Sequence, residues 1–544
     1  MGRETNIERI RTLETQIAEG NGDVIKLKRA RNSLLNISTC FPPEILGCFF
    51  KWIITRKQDK SFHCELPANH FSKLERGSFN FRLVCYHWFE VASKTQAIWS
   101  FWGNTIHDWN KLHRFSKAAP VDLVLDGHAN GPVGVLDTPL KNELKDRIAR
   151  DKIRLIHLKS DDPNLLDPII SSLTPGGEGV QEKHIESIIL HTTLITEELS
   201  NFFARSRLPW LQHLEIVGAA LTPLWDYLPS HTTRLTTLLL KPDRLAVPLT
   251  TSRLSLILTA NPNLQYLKLS DASLPDDDGP RVRVPLHHLR KICLSGKLCS
   301  VFRLLQRLEL PATLKEMELN MEDSKLEDIH QTFGPYIRDF FQRNVWLQDV
   351  LDVMSCGGGS RDVYVYVGCR VSRPTSESGP AVPSARFSIS LAGLPPDLTS
   401  KQLALDLMAF LPQEHTESLQ MGHSLETSEE MFIAMPRLTT LWLENVTLSD
   451  GFLLPSPKGP YAGSKLLPSL RSLNLSDVTV VDDNWQPLVD YLLNQTPDGE
   501  ALLLGVHSEF KMPLEVQKKI EGLVKELELC SNINTSPFQD LAVT

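Results

Sequence analysis

Asn261-Pro-Asn-Leu-Gln-Tyr-Leu-Lys-Leu269 sets Leu264, Leu267 and Leu269 at spacings of three and two. The last two lie on one face of a strand, because alternate side chains of extended backbone share a face. The same apolar-x-x-apolar-x-apolar template recurs at Ile153, Ile156, Leu158; Ile185, Ile188, Leu190; Leu211, Leu214, Ile216; and Leu235, Leu238, Leu240. It continues at Leu289, Ile292, Leu294; Leu314, Met317, Leu319; Leu438, Leu441, Leu443; and Leu470, Leu473, Leu475. From 153 to 314 the copies start 32, 26, 24, 29, 25 and 25 residues apart, a regularity that chance does not supply.

Leucine-rich repeats have a period of about 20–29 residues, with one strand and one helix per unit. One strand cannot cover both of its faces, so neighbouring units stack into a parallel sheet whose leucines form a continuous core. Ser252 to Thr259 and Phe302 to Leu308 carry helical apolar spacing and are expected on the outer layer. The competing reading is an ordinary α/β sheet with irregular connections.

The interval between Leu319 and Leu438 breaks the rhythm. Leu326 to Leu347 reads as a helix with Ile329, Phe333, Ile337, Phe340 and Phe341 on one side, and Trp346 to Val353 as a degenerate repeat strand. Val363 to Val367 alternates as a strand, as do Phe387, Ile389 and Leu391, which together predict a hairpin-like excursion within the sheet. The Ser, Pro and Gly of 372–386 predict a mobile loop, either plain or regulatory, and Cys356-Gly-Gly-Gly-Ser360 predicts a flexible turn. Val516, Ile520, Leu523, Val524 and Leu527 predict an amphipathic helix that caps the array.

The N-terminal part has another grammar. Phe41-Pro-Pro-Glu-Ile-Leu46 starts a helix in which Ile45, Leu46, Phe49, Phe50 and Ile53 form an apolar stripe, proline being tolerated where no helical N–H is needed. Phe81 to Ala92 forms a second, with Leu83, Val84, Trp88, Val91 and Ala92, and Trp99 and Trp102 follow. Helices this short that keep aromatic groups near the surface mark a partner site; the bland alternative is a pair of ordinary core helices. Thr55 to Ser78 reads as an insertion between them. Upstream, Ile10, Leu13, Ile17, Val24, Leu27 and Leu34 are broken by Gly20-Asn21-Gly22, which predicts two helical pieces and not one rod.

Lys and Arg total 57 against 65 Asp and Glu, and the resulting net charge of −8 disfavours nucleic acid as a partner. The nine cysteines show no CxxC pair or disulfide-framework spacing and read as reduced thiols. With no signal-like apolar segment, no myristoylation signature and no apolar run near the roughly 18 residues of a membrane span, a cytoplasmic or nuclear protein without membrane association is expected. The phosphate-loop, dinucleotide, nucleophile-elbow and zinc-protease signatures are missing, so no enzyme and no cofactor are expected. His63, Cys64, His70, Cys85 and His87 lack four-ligand spacing, and Asp276-Asp-Asp-Gly279 lacks the rest of a calcium loop, so no metal is expected either.

Phe41-Pro-Pro-Glu-Ile-Leu46, then Val84-Cys85 with Trp88, then Ile98-Trp99-Ser100, ahead of the repeats, resembles fungal F-box/leucine-rich-repeat proteins. The resemblance implies an α/β chain: an N-terminal all-helical F-box, then a leucine-rich-repeat solenoid with parallel strands inside, helices outside and an irregular insertion. The expected segments are 1–35 helical, 36–108 F-box, 109–126 linker helix and first strand, 127–320 repeats, 321–435 irregular repeats, and 436–544 final repeats and cap. Two departures are Phe41, where the family has Leu, and the Thr55 to Ser78 insertion. The implied function is substrate recognition in a Skp-cullin-F-box ubiquitin ligase, without bond chemistry of its own; the alternative is a protein-binding scaffold outside any ligase. Expected Skp adaptor contacts are Phe41, Pro42, Pro43, Ile45, Leu46, Phe49, Phe50, Val84, Cys85, Trp88, Val91 and Trp99. An unidentified target protein is expected on strand positions facing away from the leucines: Glu215, Thr237, Lys268, Lys291, Glu316, Trp442 and Asn474.

Overall fold

The computed structural model describes residues 2–20, 23–34, 41–50, 86–99, 101–103, 119–126, 153–174, 181–193, 196–218, 222–242, 249–270, 283–322, 326–344, 353–358, 363–368, 386–392, 400–422, 432, 434–444, 447–448, 467–476, 478–480, 484–495, 503–507, 513–524 and 526–530. Two compact units are present, Met1–Leu264 and Gln265–Thr544, and their boundary falls inside the 127–320 segment read as one run of repeats.

In the first unit α1 (Gly2–Ala18) and α2 (Val24–Leu34) pack on each other. The left-handed conformation of Gly20, with φ of 67°, ends α1, so the two helical pieces expected there are observed. A third helix, α3, covers 43–50, and α4 (Tyr86–Lys94) packs against α2. Six parallel strands follow in chain order: β1 (Phe101–Gly103), β2 (Val121–Asp126), β3 (Ile153–Lys159), β4 (Ser187–His191), β5 (His213–Gly218) and β6 (Thr237–Pro242). Helices α5 (Pro163–Leu173), α6 (Glu197–Arg205), α7 (Thr222–His231) and α8 (Thr251–Ala260) alternate with the strands, each packed on the next. Thr196 and Thr250 start α6 and α8 by accepting the N–H groups of Leu199 and Arg253, each at 3.2 Å.

All the residues of the nine templates are buried, none more than 8% exposed. At about 1.5–3 kcal/mol for each fully buried large apolar side chain, this face dominates the stability of the sheet. The backbone repeats with it. The first template residue donates its N–H to the carbonyl three residues earlier at Leu211, Leu264, Leu289, Leu314, Leu438 and Leu470. The next strand entry then donates two amides to one carbonyl of the preceding repeat, as Arg290 and Lys291 do to Gln265. Turn groups enclosed in the stack thereby find partners.

Leu235 departs from the pattern. Its N–H donates to the side-chain oxygen of Asn261 at 3.0 Å, while Asn261 Nδ2 donates to Thr232 Oγ1 at 3.3 Å and to the Ile257 carbonyl at 2.9 Å. Asn261 is 1% exposed and ends α8, so one buried amide joins two repeats.

The second unit begins with parallel strands β7 (Tyr266–Leu269), β8 (Lys291–Lys297) and β9 (Glu316–Glu322), with α9 (Leu298–Arg307) packed on β8 and β9. Residues 326–343 are continuously helical, with a π segment at Ile329–Phe333 leading into α10 (Gly334–Arg343). The five apolar residues expected on one side of it are all buried. The interruption in the rhythm is a swap within the sheet. Strand β10 (Val353–Gly358) is antiparallel to β11 (Val363–Gly368), which is antiparallel to β12 (Arg386–Ala392); β12 lies parallel to β9, and β10 parallel to β13 (Ser418–Gly422). The hairpin-like excursion is therefore observed, whereas Cys356 to Gly358 are strand and not turn. Helix α11 (Ser400–Ala409) packs on β10 and β11.

Parallel strands resume with β14 (Thr440–Glu444), β15 (Ser472–Ser476) and β16 (Leu503–His507), the last two separated by α12 (Gln486–Gln495). The C-terminal expectation is corrected. Its helix, α13 (Leu514–Glu521), stops at Gly522, and Leu527 belongs to another parallel strand, β17 (Glu526–Cys530), which pairs with β16. Alternation of Leu527 and Leu529 opposite Leu504 and Val506 suits a strand, and helical spacing alone did not separate the two. Residues 346–352 of the degenerate repeat strand, the 55–78 insertion and all of the 372–386 loop except Arg386, which begins β12, lie outside the described residues.

Candidate protein-binding surfaces

Helices α3 and α4 divide their apolar residues between two faces. Leu46, Phe50, Val91 and Trp99 are buried, at 2%, 0%, 6% and 0% exposure, and form the core of this region. The Phe50 ring meets half-buried Trp88 edge-on at 5.1 Å between centroids. The Trp99 indole N–H donates to the Ala92 carbonyl at 2.6 Å, so the expectation of exposed tryptophans is corrected for Trp99, whose polar edge is satisfied inside. Gly47 permits the close approach of α3, since a Cβ there would stand 3.2 Å from Thr95 Oγ1.

The other face is open. Phe41, Ile45 and Phe49, four residues apart, are 48%, 54% and 45% exposed, and Pro42 and Pro43 are exposed beside them. They account for three of the ten large apolar side chains exposed among the described residues, within nine positions of sequence. Val84 and Cys85 lie outside the described residues.

In the first unit, the sheet face away from the template leucines is largely closed. Val124, His157, Ile189, Glu215 and Leu239 share one register row and are all buried. Glu215 is therefore corrected from an open contact position to a clamped one. Its Oε1 takes a 2.8 Å hydrogen bond from His191 Nε2, and His213 Nε2 stands 3.7 Å from Oε2. Burial pushes the carboxyl up, but the hydrogen bond from His191 and the close His213 imidazole outweigh it and hold it at about 2. His157 lies 5.5 Å from His191, ring to ring, and burial together with that neighbour pushes it down to about 3, leaving it neutral. Thr237 is half-buried on the same face.

In the second unit the expected positions fall into two rows. Tyr266, Lys291, Glu316 and Arg386 make one, with Lys291 Nζ 2.8 Å from Glu316 Oε2 and 5.6 Å from the Tyr266 ring centroid. Lys268 lies in the other, in register with Cys293 and Glu318. Burial and the neighbouring Glu318 push the Cys293 thiol up to about 12, which keeps it protonated and unsuited to nucleophilic chemistry. The second row also includes half-buried Trp442, between Gln420 and Asn474. Gln420 donates to Glu444 Oε2 at 2.8 Å, and glycine at 505, next along the row, leaves space beside Asn474. An indole framed by amides and a carboxylate is suited to a polar protein surface with an apolar anchor.

Sequence spacing did not disclose these couplings, because cross-strand partners lie 22 or more residues apart and their register is set by the turns. The repeat ending in Leu419 and Met421 was missed because buried Thr416 holds its first apolar position. Among the described residues, no group of three or more His, Cys, Asp or Glu is arranged to hold a metal ion, and no helix is long and apolar enough to cross a membrane.

No family model matches the chain, and no curated protein does. Among solved structures, an internalin, InlF from Listeria monocytogenes str. 4b F2365, is similar at 12% identity, covering 71% of this chain and 83% of that chain with a TM-score of 0.29. What identifies the repeat is the register of its own strands and the burial of its leucine triads.

Proposed function

We propose that this chain is the substrate-recognition subunit of a Skp-cullin-F-box ubiquitin ligase. The α3–α4 region takes the Skp adaptor, and the strand faces of the repeats hold a target protein. The reading is carried by the division of labour in α3: Leu46 and Phe50 anchor the helix, while Phe41, Ile45 and Phe49 remain exposed in one stripe at the motif that resembles an F-box. A monomer gains nothing from leaving three large apolar groups in water on α3 and just ahead of it, whereas a partner surface does. The buried members of the motif, Leu46, Phe50, Val91 and Trp99, act by presenting this stripe. The chain performs no bond chemistry; it raises the local concentration of target lysines near a ubiquitin-charged enzyme.

Reconstitution with purified Skp adaptor and cullin tests the reading. One complex containing all three is expected, and Ile45→Asp with Phe49→Asp should remove adaptor and cullin together. Adaptor binding that excludes cullin would leave a scaffold outside any ligase, and no adaptor binding would refute the F-box assignment.

A further inference from the structure

We propose that a stacked ladder of His184, Trp210 and Arg234, on one edge of the first unit, binds an extended acidic segment of a partner protein. Each of the three immediately precedes the first apolar residue of its repeat, ahead of Ile185, Leu211 and Leu235, so the sheet brings together side chains 26 and 24 residues apart. The Trp210 ring stacks on His184 at 5.5 Å between centroids and 22° between planes. The guanidinium carbon of Arg234 lies 4.5 Å from the centroid of the same ring. The strands that follow them, β4, β5 and β6, are consecutive in the sheet, so His184 and Arg234 reach the indole from opposite neighbours. Both separations match the roughly 4.8 Å step between paired strands.

The backbone beneath the ladder is fixed. The Leu211 amide donates to the Leu208 carbonyl at 3.1 Å, those of Gln212 and His213 to Glu186, and those of Thr236 and Thr237 to Gln212. Stacking on such a frame holds the three groups in place before any partner arrives, which lowers the entropy cost of binding. All three side chains are exposed. Trp210 is 39% exposed, whereas Trp99, Trp225 and Trp485 are buried.

Stacking occupies faces and leaves edges, and each edge here carries N–H groups: an imidazole, an indole and a guanidinium fork. Among the described residues, none of these N–H groups makes a hydrogen bond or ion pair within the protein. The acids flanking His184 in sequence have basic neighbours of their own, Glu182 standing in register with Arg207 and Glu186 interacting with Arg154. A row of donors around an aromatic centre selects a partner rich in acceptors. The guanidinium takes a carboxylate through two parallel N–H bonds, and the indole supplies the apolar anchor. Two strand steps make the ladder roughly 10 Å long, which extended chain covers in about three residues. Two carboxylates two or three residues apart, with an apolar side chain between them, therefore reach both ends and the centre. The net charge of −8 disfavours nucleic acid as the occupant. The ladder lies on the turns and not on the strand faces, so the inference does not depend on the ligase reading.

The test is fluorescence anisotropy of a labelled peptide alternating Glu and Leu, titrated with the full chain at low salt beside counterparts carrying Gln or Lys in place of Glu. The Glu peptide should bind at least about tenfold more tightly than the Gln peptide, the Lys peptide should not bind, and added salt should weaken the complex. His184→Gln with Arg234→Gln should weaken binding of the Glu peptide by at least about tenfold. Arg234→Lys, which keeps the charge and loses the planar fork, should weaken it as well. These substitutions fall on exposed residues, so the melting temperature of each variant should match the parent. Equal binding of the Glu and Gln peptides, or undiminished binding by the folded double variant, would overturn the proposal. A polyuridine oligonucleotide held more tightly than the Glu peptide would overturn its commitment to a protein partner.

Discussion

Replacing Asn261 by Ala removes three hydrogen bonds at a position 1% exposed and leaves the Leu235 amide, also buried, without its acceptor. At about 0.5–1.5 kcal/mol for each bond, and with the larger penalty of about 1–3 kcal/mol where a buried donor is stranded, the expected loss is roughly 2–6 kcal/mol. Urea unfolding should show a lower midpoint at unchanged slope, while Asn263→Ala, exposed two residues on, should stay within about 0.5 kcal/mol of the parent. Hydrogen exchange at the Leu235 amide supplies a local reading that does not depend on how the two units unfold. Full protection of that amide in Asn261→Ala, or a loss below about 1 kcal/mol, would refute the reasoning that one side chain joins these repeats.

His157 is held at about 3 against an ordinary 6.5, so as pH falls the unfolded chain takes its proton first; stability is intact above pH 6.5 and is lost between 6.5 and 3. Glu215, held at about 2 against 4.5, adds a loss of the same sign between those values. With Lys159, His191, His213 and Glu215 around it, His157→Phe should flatten the acid slope of denaturation midpoints between pH 6.5 and 4.5, by at most about 1.4 kcal/mol for each pH unit; an unchanged slope counts against a neutral buried imidazole. Removing 513–544 strips α13 and β17 from β16 and should lower the melting temperature or solubility, whereas removing residues 1–20, which takes only α1, should do much less; equal melting with and without β17 refutes its capping role. Trp442→Ala should leave adaptor capture intact and reduce target capture by at least about tenfold, and loss of both or of neither in pull-downs speaks against separate surfaces.

The helix-and-strand grammar was legible because burial imposes it: Leu267 and Leu269 have no other way to share a core with Ile292 and Leu294. The alternating 363–367 segment announced its hairpin, but nothing local specified that β12 would lie beside β9 and push β10 and β11 to the far side. That order depends on long-range pairing. Of the expected contact residues, Phe41, Ile45 and Phe49 stand exposed, whereas Leu46 and Phe50 are turned inward by the same helical period and Trp99, on a separate turn, is buried as well. An apolar stripe in sequence does not say which of its edges meets the core. Glu215 was misjudged for a related reason: alternation gave its face correctly, while its burial follows from imidazoles on β4 and β5 that flank it in space.

The most direct test of the adaptor-docking claim is the affinity of the purified full chain for purified Skp adaptor, measured beside Ile45→Asp, Phe49→Asp and their combination. Because these side chains are 54% and 45% exposed, each variant should melt like the parent. The parent should bind one to one, each single variant should weaken binding by at least about tenfold, and the pair should abolish it. A parent that does not bind, or a folded double variant that binds as the parent does, contradicts the account.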